Sequence, residues 1–383
     1  MMMILPLITG LGFFSGGLWA FAGIAGGVLV YAHTCWQQRR LTALPRWVLI
    51  GTGLLLGVFI LANLQAVDPA LSWSKNFQLI ALLVPLLGLS VVGKADESSS
   101  LDFQLLVYVF ITFGVLLGLE LFLNGPLLPY IHGPSATLPK YNRGLSYAAM
   151  FVWALLAWLV TERRWRLMAV LIVAMAFPLA QTESRATMLA MAAAVTIFAL
   201  ARVTGGQLVR CVLSMAVLGT AGWPFYAYAV MEYAPQWLNH LPASWHARME
   251  IWDYMAARIM ERPWSGWGFA SSGQLEFTSP HQPLYQMMSF KAGHSHNMVT
   301  QWWVELGAPG LLAGLGFCLM TIWSTRFLSG RLQPFALSAW VAGWVLALCA
   351  YNAWTDSFLA AMALTSFAFA VLRYQAAKEL IHH

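Results

Sequence analysis

The stretch Gly293-His294-Ser295-His296-Asn297 places two imidazoles where a polar segment enters an apolar run, which continues Gln301-Trp302-Trp303-Val304-Glu305-Leu306-Gly307-Ala308-Pro309-Gly310. Imidazole titrates closest to neutrality, so His296 or His294 suits a general base that deprotonates a hydroxyl such as a sugar's. A second reading has both histidines simply capping a helix at a membrane surface. Arg185, in Gln181-Thr182-Glu183-Ser184-Arg185, stands between two apolar runs. A guanidinium near hydrocarbon is costly, and its planar fork matches the oxygens of a diphosphate. The other reading is a salt bridge to Glu183 or an arginine snorkelling to the interface. Arg248 and Arg143, the latter in Tyr141-Asn142-Arg143-Gly144, are further candidate phosphate ligands. Arg248 has Glu250 close by in sequence as an alternative partner. Lys75 and Lys291 carry the same chemistry with less context.

These residues need elements to hold them, and the composition says which kind. Of 383 residues, 60% are hydrophobic and 9% charged. Water-soluble domains carry about 25% charged residues, so this chain is built for hydrocarbon. Apolar runs long enough to cross about 30 Å recur throughout. Cutting at the polar breaks predicts about twelve spans, near 4–15, 16–34, 46–64, 76–92, 102–123, 143–160, 165–180, 185–203, 209–230, 297–325, 333–352 and 354–374. The first run, Met1 to Ala32, is uncharged, longer than a signal peptide's apolar core and without a basic start, so it reads as retained membrane structure. Gly16-Gly17 and Gly26-Gly27 mark where it divides.

Basic residues fall on alternate connections. One set holds Arg39, Arg40, Arg46, Lys94, Arg163, Arg164, Arg166, Arg202, Arg210, Arg326, Arg331, Arg373 and Lys378; the short loops between hold Lys75, Lys140, Arg143 and Arg185. The first set is expected in the cytoplasm. The long segment 231–296 then lies outside, as a periplasmic loop with five of the nine histidines. Within it, Ser244 is an expected N-cap for a helix of about 245–261 that Pro263 ends. Trp245, Met249, Trp252, Ala256 and Ile259 form one apolar stripe, with Arg248, Asp253 and Glu261 off it. Such a helix is expected to lie in the membrane interface, its apolar side on lipid or protein and its polar side toward a cavity. Residues 1–383 form a single polytopic domain, all-α, with this loop as an outer lid.

Several classes are disfavoured. The net charge of +6 is explained by loop placement, and no basic strip with interleaved aromatics suggests nucleic acid. Cys35, Cys211, Cys318 and Cys349 sit in or beside apolar runs with no CxxC spacing, against a disulfide framework or zinc site. No DxD, HExxH or Walker pattern occurs, so no metal or nucleotide cofactor is expected. Glu120, Glu305 and Asp356 near helix ends are ion-coupling candidates or structural groups.

Arg248…Trp252…Pro263-Trp264-Ser265-Gly266-Trp267-Gly268, followed by His296-Asn297 and Glu305-Leu306-Gly307-Ala308-Pro309-Gly310, resembles the signature of the O-antigen ligase and polymerase superfamily. The signature covers about 65 residues, and the span pattern with its large outer loop is similar along the chain. The resemblance implies a GT-C-like integral-membrane glycosyltransferase of the bacterial inner membrane, with its active site on the periplasmic face. It implies a glycan donor linked to undecaprenyl diphosphate and a lipid A–core acceptor, with inversion and without metal or ATP. By the same resemblance Arg185 and Arg248 match the donor-diphosphate arginines, and His296 the base, with His294 beside it. Gly266 and Gly268 are expected to shape the return of the loop. Chain polymerases and protein O-oligosaccharyltransferases share this signature. The length and the short tail after the last span look most like the ligase. A secondary transporter, from another class, would show midplane charges and internal repeats, which are not seen.

Overall fold

The computed structural model describes residues 4–38, 43–91, 101–276, 279–287 and 294–382. Among them the chain is helical, with no β-strand. The helices are α1 (Ile4–Leu11), α2 (Leu18–Gln38), α3 (Arg46–Asn63), α4 (Pro69–Leu87), α5 (Phe103–Phe122), α6 (Leu128–His132), α7 (Asn142–Thr161) and α8 (Trp165–Gln181). They continue as α9 (Arg185–Thr204), α10 (Gly206–Gly219), α11 (Trp223–Tyr233), α12 (Ala243–Glu261), α13 (Met298–Ser324), α14 (Gln333–Cys349) and α15 (Asp356–His382). Starts are chemically marked: Asp68 caps α4 at Leu71 N (3.0 Å), Asp102 caps α5 at Leu105 N (2.8 Å) and Asn297 caps α13 at Thr300 N (3.0 Å).

Among the described residues, eight helical stretches are long and apolar enough to cross a membrane, and three shorter apolar helices, Val48–Asn63, Trp165–Gln181 and Gln333–Cys349, accompany them. Their outward surfaces carry large apolar side chains: Leu54, Val173, Met215 and Leu312 are each about two-thirds exposed. Such a surface is suited to lipid and not to water. The expected first span, 4–15, is different. Helix α1 has 8 residues, about 12 Å at 1.5 Å per residue, which is too short to span. Gly12 packs against Trp19 and Gly16 against Arg143, so α1 folds back onto the bundle at the glycine pair.

The helix ends fall on two faces. On one, Arg164 donates to Gln104 (2.9 Å) and Arg210 to Gln333 (3.1 Å), joining the starts of α5, α8, α10 and α14. Arg163, Arg166, Arg202, Arg326 and Arg331 lie at turns and helix ends on this side. Arg39, Arg40, Lys94 and Lys291 fall outside the described residues. On the other face, Thr182 bonds Asn142 (2.8 Å), Ser146 bonds Thr187 (2.7 Å), Tyr147 bonds Ser357 (3.0 Å) and Ala353 N donates to Gln301 (3.0 Å). These contacts gather the starts of α7, α9, α13 and α15. The centre is α7, in which every residue from Gly144 to Leu159 is buried.

The excursion between α11 and α13 runs 234–297 and is built on α12. The helix starts earlier than the pattern suggested. Pro242 takes the cap position, its carbonyl accepting from Trp245 N (2.8 Å) and His246 N (3.0 Å), so Ser244 lies inside the first turn. The apolar stripe packs on Ala227 and Met231 of α11. The opposite side is covered as well: Glu250 and Asp253 are fully buried under residues 279–287. Helix α12 is therefore encased by protein on both sides: its apolar side rests on protein, one of the two expected surroundings, whereas its polar side is covered and does not open on the expected cavity.

Candidate active site

The approach to α13 sets the histidines. Trp252 Nε1 donates to Ser295 O (2.9 Å), pinning the chain to α12, and Ser295 Oγ donates to Asn297 O (2.6 Å). Between them His296 takes φ 52°, a left-handed conformation that costs a residue with a β-carbon about 1–2 kcal/mol. The result is a pair of imidazoles with ring centroids 3.9 Å apart. Both are half-buried. Burial, then His294 and Arg248, push the His296 pKa down to about 3. Burial, then Arg143 and Arg248, push His294 down as well. Both rings are therefore neutral near pH 7, the form that accepts a proton. His296 Nδ1 is buried and unpartnered.

The arginines divide into two positions. Arg248 donates from Nε to Cys349 O (3.0 Å) and from Nη1 to Ser244 O (2.6 Å), and lies 5.6 Å from the Trp245 ring. Glu250 is not its partner; that carboxylate turns away to accept from Gln286 N (2.7 Å) and Met287 N and faces His246 at 3.1 Å. Arg248 and Arg143 are the charges felt by His294, so the structure brings His294, His296, Arg248 and Arg143 together. Arg185 opens α9 on the same face, beside Arg143 through the Thr182–Asn142 and Ser146–Thr187 contacts. No interaction among the described residues links it to the imidazoles, and no ion pair joins it to Glu183.

The glycine-rich signature is a seam. Pro309 has no N–H for Glu305 O, and α13 breaks at Gly307 (φ 67°, ψ −166°). The loop repairs the break. Gly268 N donates to Glu305 O (2.9 Å), Trp267 N to Val304 O (2.9 Å), and Ala308 N to Pro263 O (2.9 Å). Gly266 and Gly307, both at φ +67°, meet backbone to backbone, where a Cβ on Gly266 would sit 2.5 Å from Glu305 O. Gly268 approaches Ala66 equally closely. The Glu305 carboxylate, fully buried, accepts from Ala270 N (2.9 Å), Ser272 N (3.3 Å), Gln301 Nε2 (2.9 Å) and Trp354 Nε1 (2.6 Å). It is a structural clamp. Glu120, accepting from Leu127 N (2.9 Å) and the Tyr141 hydroxyl (2.8 Å), is another.

Sequence reasoning missed one cluster. His281 Nδ1 bonds Asp253 (2.8 Å) and Nε2 bonds Glu232 (2.6 Å), while Ser279 (2.9 Å) and the Tyr285 hydroxyl also reach Asp253. It latches 279–287 onto α11 and α12. Only the placement of Asp253 off the apolar stripe hinted at it. Among the described residues, no three His, Cys, Asp or Glu side chains are arranged to hold a metal ion.

A family model described as O-antigen ligase matches residues 140–315, the region that carries Arg143, Arg185, Arg248, both histidines and the seam. Over residues 140–315, a little under half of its length, the chain is thus similar to the O-antigen ligase family. It is also similar to curated proteins provisionally named polysaccharide ligases. One from Rickettsia conorii is 23% identical over 279 residues, covering 70% of this chain and 66% of that protein. One from Rickettsia felis is 23% identical over 220 residues, covering 56% of this chain and 53% of that protein. The chain thus spans between about half and two-thirds of these relatives. Its apolar helices and this similarity mark a multi-pass membrane protein.

Proposed function

We propose that this chain acts as an O-antigen ligase, transferring a glycan from undecaprenyl diphosphate to a sugar hydroxyl of the lipid A–core, by inversion and without metal, in a GT-C-like layout. The observation that carries the reading is the convergence of two neutral imidazoles with Arg248 and Arg143 on one face of the bundle. The opposite face holds the arginine-rich turns, which by the positive-inside rule supports the reading that the site lies on the outer, periplasmic side of the inner membrane. A lipid-linked donor arrives there laterally, its sugar–phosphate bond at the interface.

In this mechanism the acceptor oxygen attacks the anomeric carbon as the carbon–oxygen bond to diphosphate breaks. His296 takes the acceptor's proton; the lipid diphosphate leaves with the electron pair, its charge neutralised by Arg248 and Arg185 with Arg143 beside them. The low pKa of free His296 has a consequence. An imidazole held near 3 by burial and neighbouring cations is a weak base until an anion arrives. Diphosphate among those cations offsets their charge and raises the imidazole toward its working range. The base is thus strengthened by the donor it serves.

The test is transfer in detergent from undecaprenyl-diphosphate glycan to rough lipopolysaccharide, with chelator, for wild type and His296→Asn. Asparagine tolerates the left-handed backbone and cannot act as a base. Transfer that survives chelator and falls by about 10²–10⁴-fold in the variant is expected. Equal rates would sink the assignment of His296. Glycan lengthening from donor alone would replace the ligase with a polymerase.

A further inference from the structure

A second polar concavity lies apart from the histidine pair. It is a cavity of about 330 Å³ between the first turns of α2, α7 and α15 and the second and third turns of α4, with Lys75, Gln78, Arg143, Trp354, Asp356 and Ser357 in its wall. Its volume is at the lower end of small-molecule sites. Lys75 Nζ bonds only the neutral Gln78 Oε1, at 3.1 Å. Among the described residues no ion pair engages Lys75 or Arg143. Two cations thus face one carboxylate. Trp354 is held in place by Glu305 (2.6 Å) and by the rings of Phe59 (5.4 Å) and Phe269 (4.6 Å). Ser357 is fixed by the Tyr147 hydroxyl at 3.0 Å.

A cation pair suits a phosphate. An indole beside a carboxylate, an amide and a hydroxyl suits a sugar ring, which offers an apolar face and several hydroxyls to bond. We propose that this cavity binds a phosphorylated saccharide, Lys75 and Arg143 holding the phosphate and Trp354, Asp356 and Gln78 the ring. The inference rests on the transferase reading for its role, as a second saccharide subsite bordering the base through Arg143. The phosphate belongs to the acceptor glycolipid or to the lipid-linked donor, and the test separates the two.

Binding to the full-length protein in detergent is measured without turnover, using a labelled lipid disaccharide with one phosphate and its dephosphorylated counterpart. Lys75→Ala is expected to weaken the phosphorylated ligand by about tenfold and the dephosphorylated one by less than about twofold, with Lys75→Arg restoring most of the loss. A Cβ at Gly17, in the cavity wall, meets nothing within 4 Å. Gly17→Leu therefore fills the space without a clash and is expected to weaken both ligands. A parallel titration with undecaprenyl-diphosphate saccharide assigns the phosphate: a Lys75→Ala loss confined to that ligand makes it the donor's. Unchanged binding of every phosphorylated ligand in Lys75→Ala, or wild-type binding in Gly17→Leu, overturns the site. A protein that binds these ligands but transfers no glycan would reject the transferase reading and leave the cavity assignment standing.

Discussion

Two stretches at the head of α13 lie about ten residues apart and treat polar groups in opposite ways. At the seam, the carbonyls freed by the break at Gly307 are taken up by loop N–H groups, and the buried Glu305 carboxylate accepts from four donors. At the imidazole pair, His296 has a left-handed backbone, an unpartnered buried Nδ1 and a pKa pushed down to about 3. Buried polar groups in folded proteins are nearly always satisfied, so an unsatisfied one calls for a reason. The seam's groups are spent on holding the loop. At the histidine pair the His296 Nδ1 is left open, as a site that awaits a substrate requires.

The largest effect is expected at the seam. Gly307→Val puts a branched side chain on a positive φ and into the backbone of Trp264. Strain plus clash should destabilise by more than about 3 kcal/mol, and the expected outcome is loss of folded protein in detergent by size-exclusion chromatography. A folded, monodisperse Gly307→Val would mean that the backbone contact is dispensable. His296→Asn should behave in the opposite sense. It removes a strained, desolvated ring while losing activity, so its thermal midpoint should equal or exceed wild type, by up to about 1 kcal/mol. A clear drop would place His296 with the seam as a structural residue.

This contrast was partly legible in the sequence. Apolar runs gave the span-length helices from α2 to α15, because hydropathy over about 20 residues decides what crosses a bilayer. Within the Met1–Ala32 run the second expected span, 16–34, is matched by α2, but the first, 4–15, misled, since nothing in an uncharged segment says whether it crosses or folds back. His294, His296 and Arg143 were named from residue type and from their position where a chain enters a span, and Arg248 from its place on the polar side of the loop helix, with the family resemblance adding to Arg248 and the histidines. Their convergence was not readable, because the loop that carries Arg248 and the helix that carries Arg143 lie about 100 positions apart. Gly266 and Gly307 were quoted in one motif, yet only the fold shows that each occupies the space the other's Cβ would need. The polar side of α12, expected to face a cavity, is covered instead: the apolar stripe was visible, whereas the partners that bury the other side, Gln286, Met287, Ser279 and His281, come from a segment with no periodicity.

The smallest effect sharpens the comparison through pH. Burial works against charge on His281, but hydrogen bonds and charges from Glu232 and Asp253 outweigh it and raise its pKa above the usual 6.5. Tyr228 lies tilted against the ring at 4.6 Å and Tyr285 shares Asp253, and the Tyr285 hydroxyl does not ionise near neutrality. A raised folded pKa stabilises fully below about 6.5 and loses that contribution as pH climbs through the folded value. The lowered values at His294 and His296 work the other way. Their neutral forms are native, so stability is present above about 6.5 and is lost as pH falls from there toward 3. Thermal midpoints at pH 5.5 and 8.5 separate the two regions. His281→Gln should fall further below wild type at pH 5.5 than at pH 8.5, by about 1 kcal/mol or less. His296→Asn should gain on wild type at pH 5.5. If both variants shift in the same direction with pH, the histidines are not held in opposite charge states, and the division into a latched region and an open one fails at its electrostatic end.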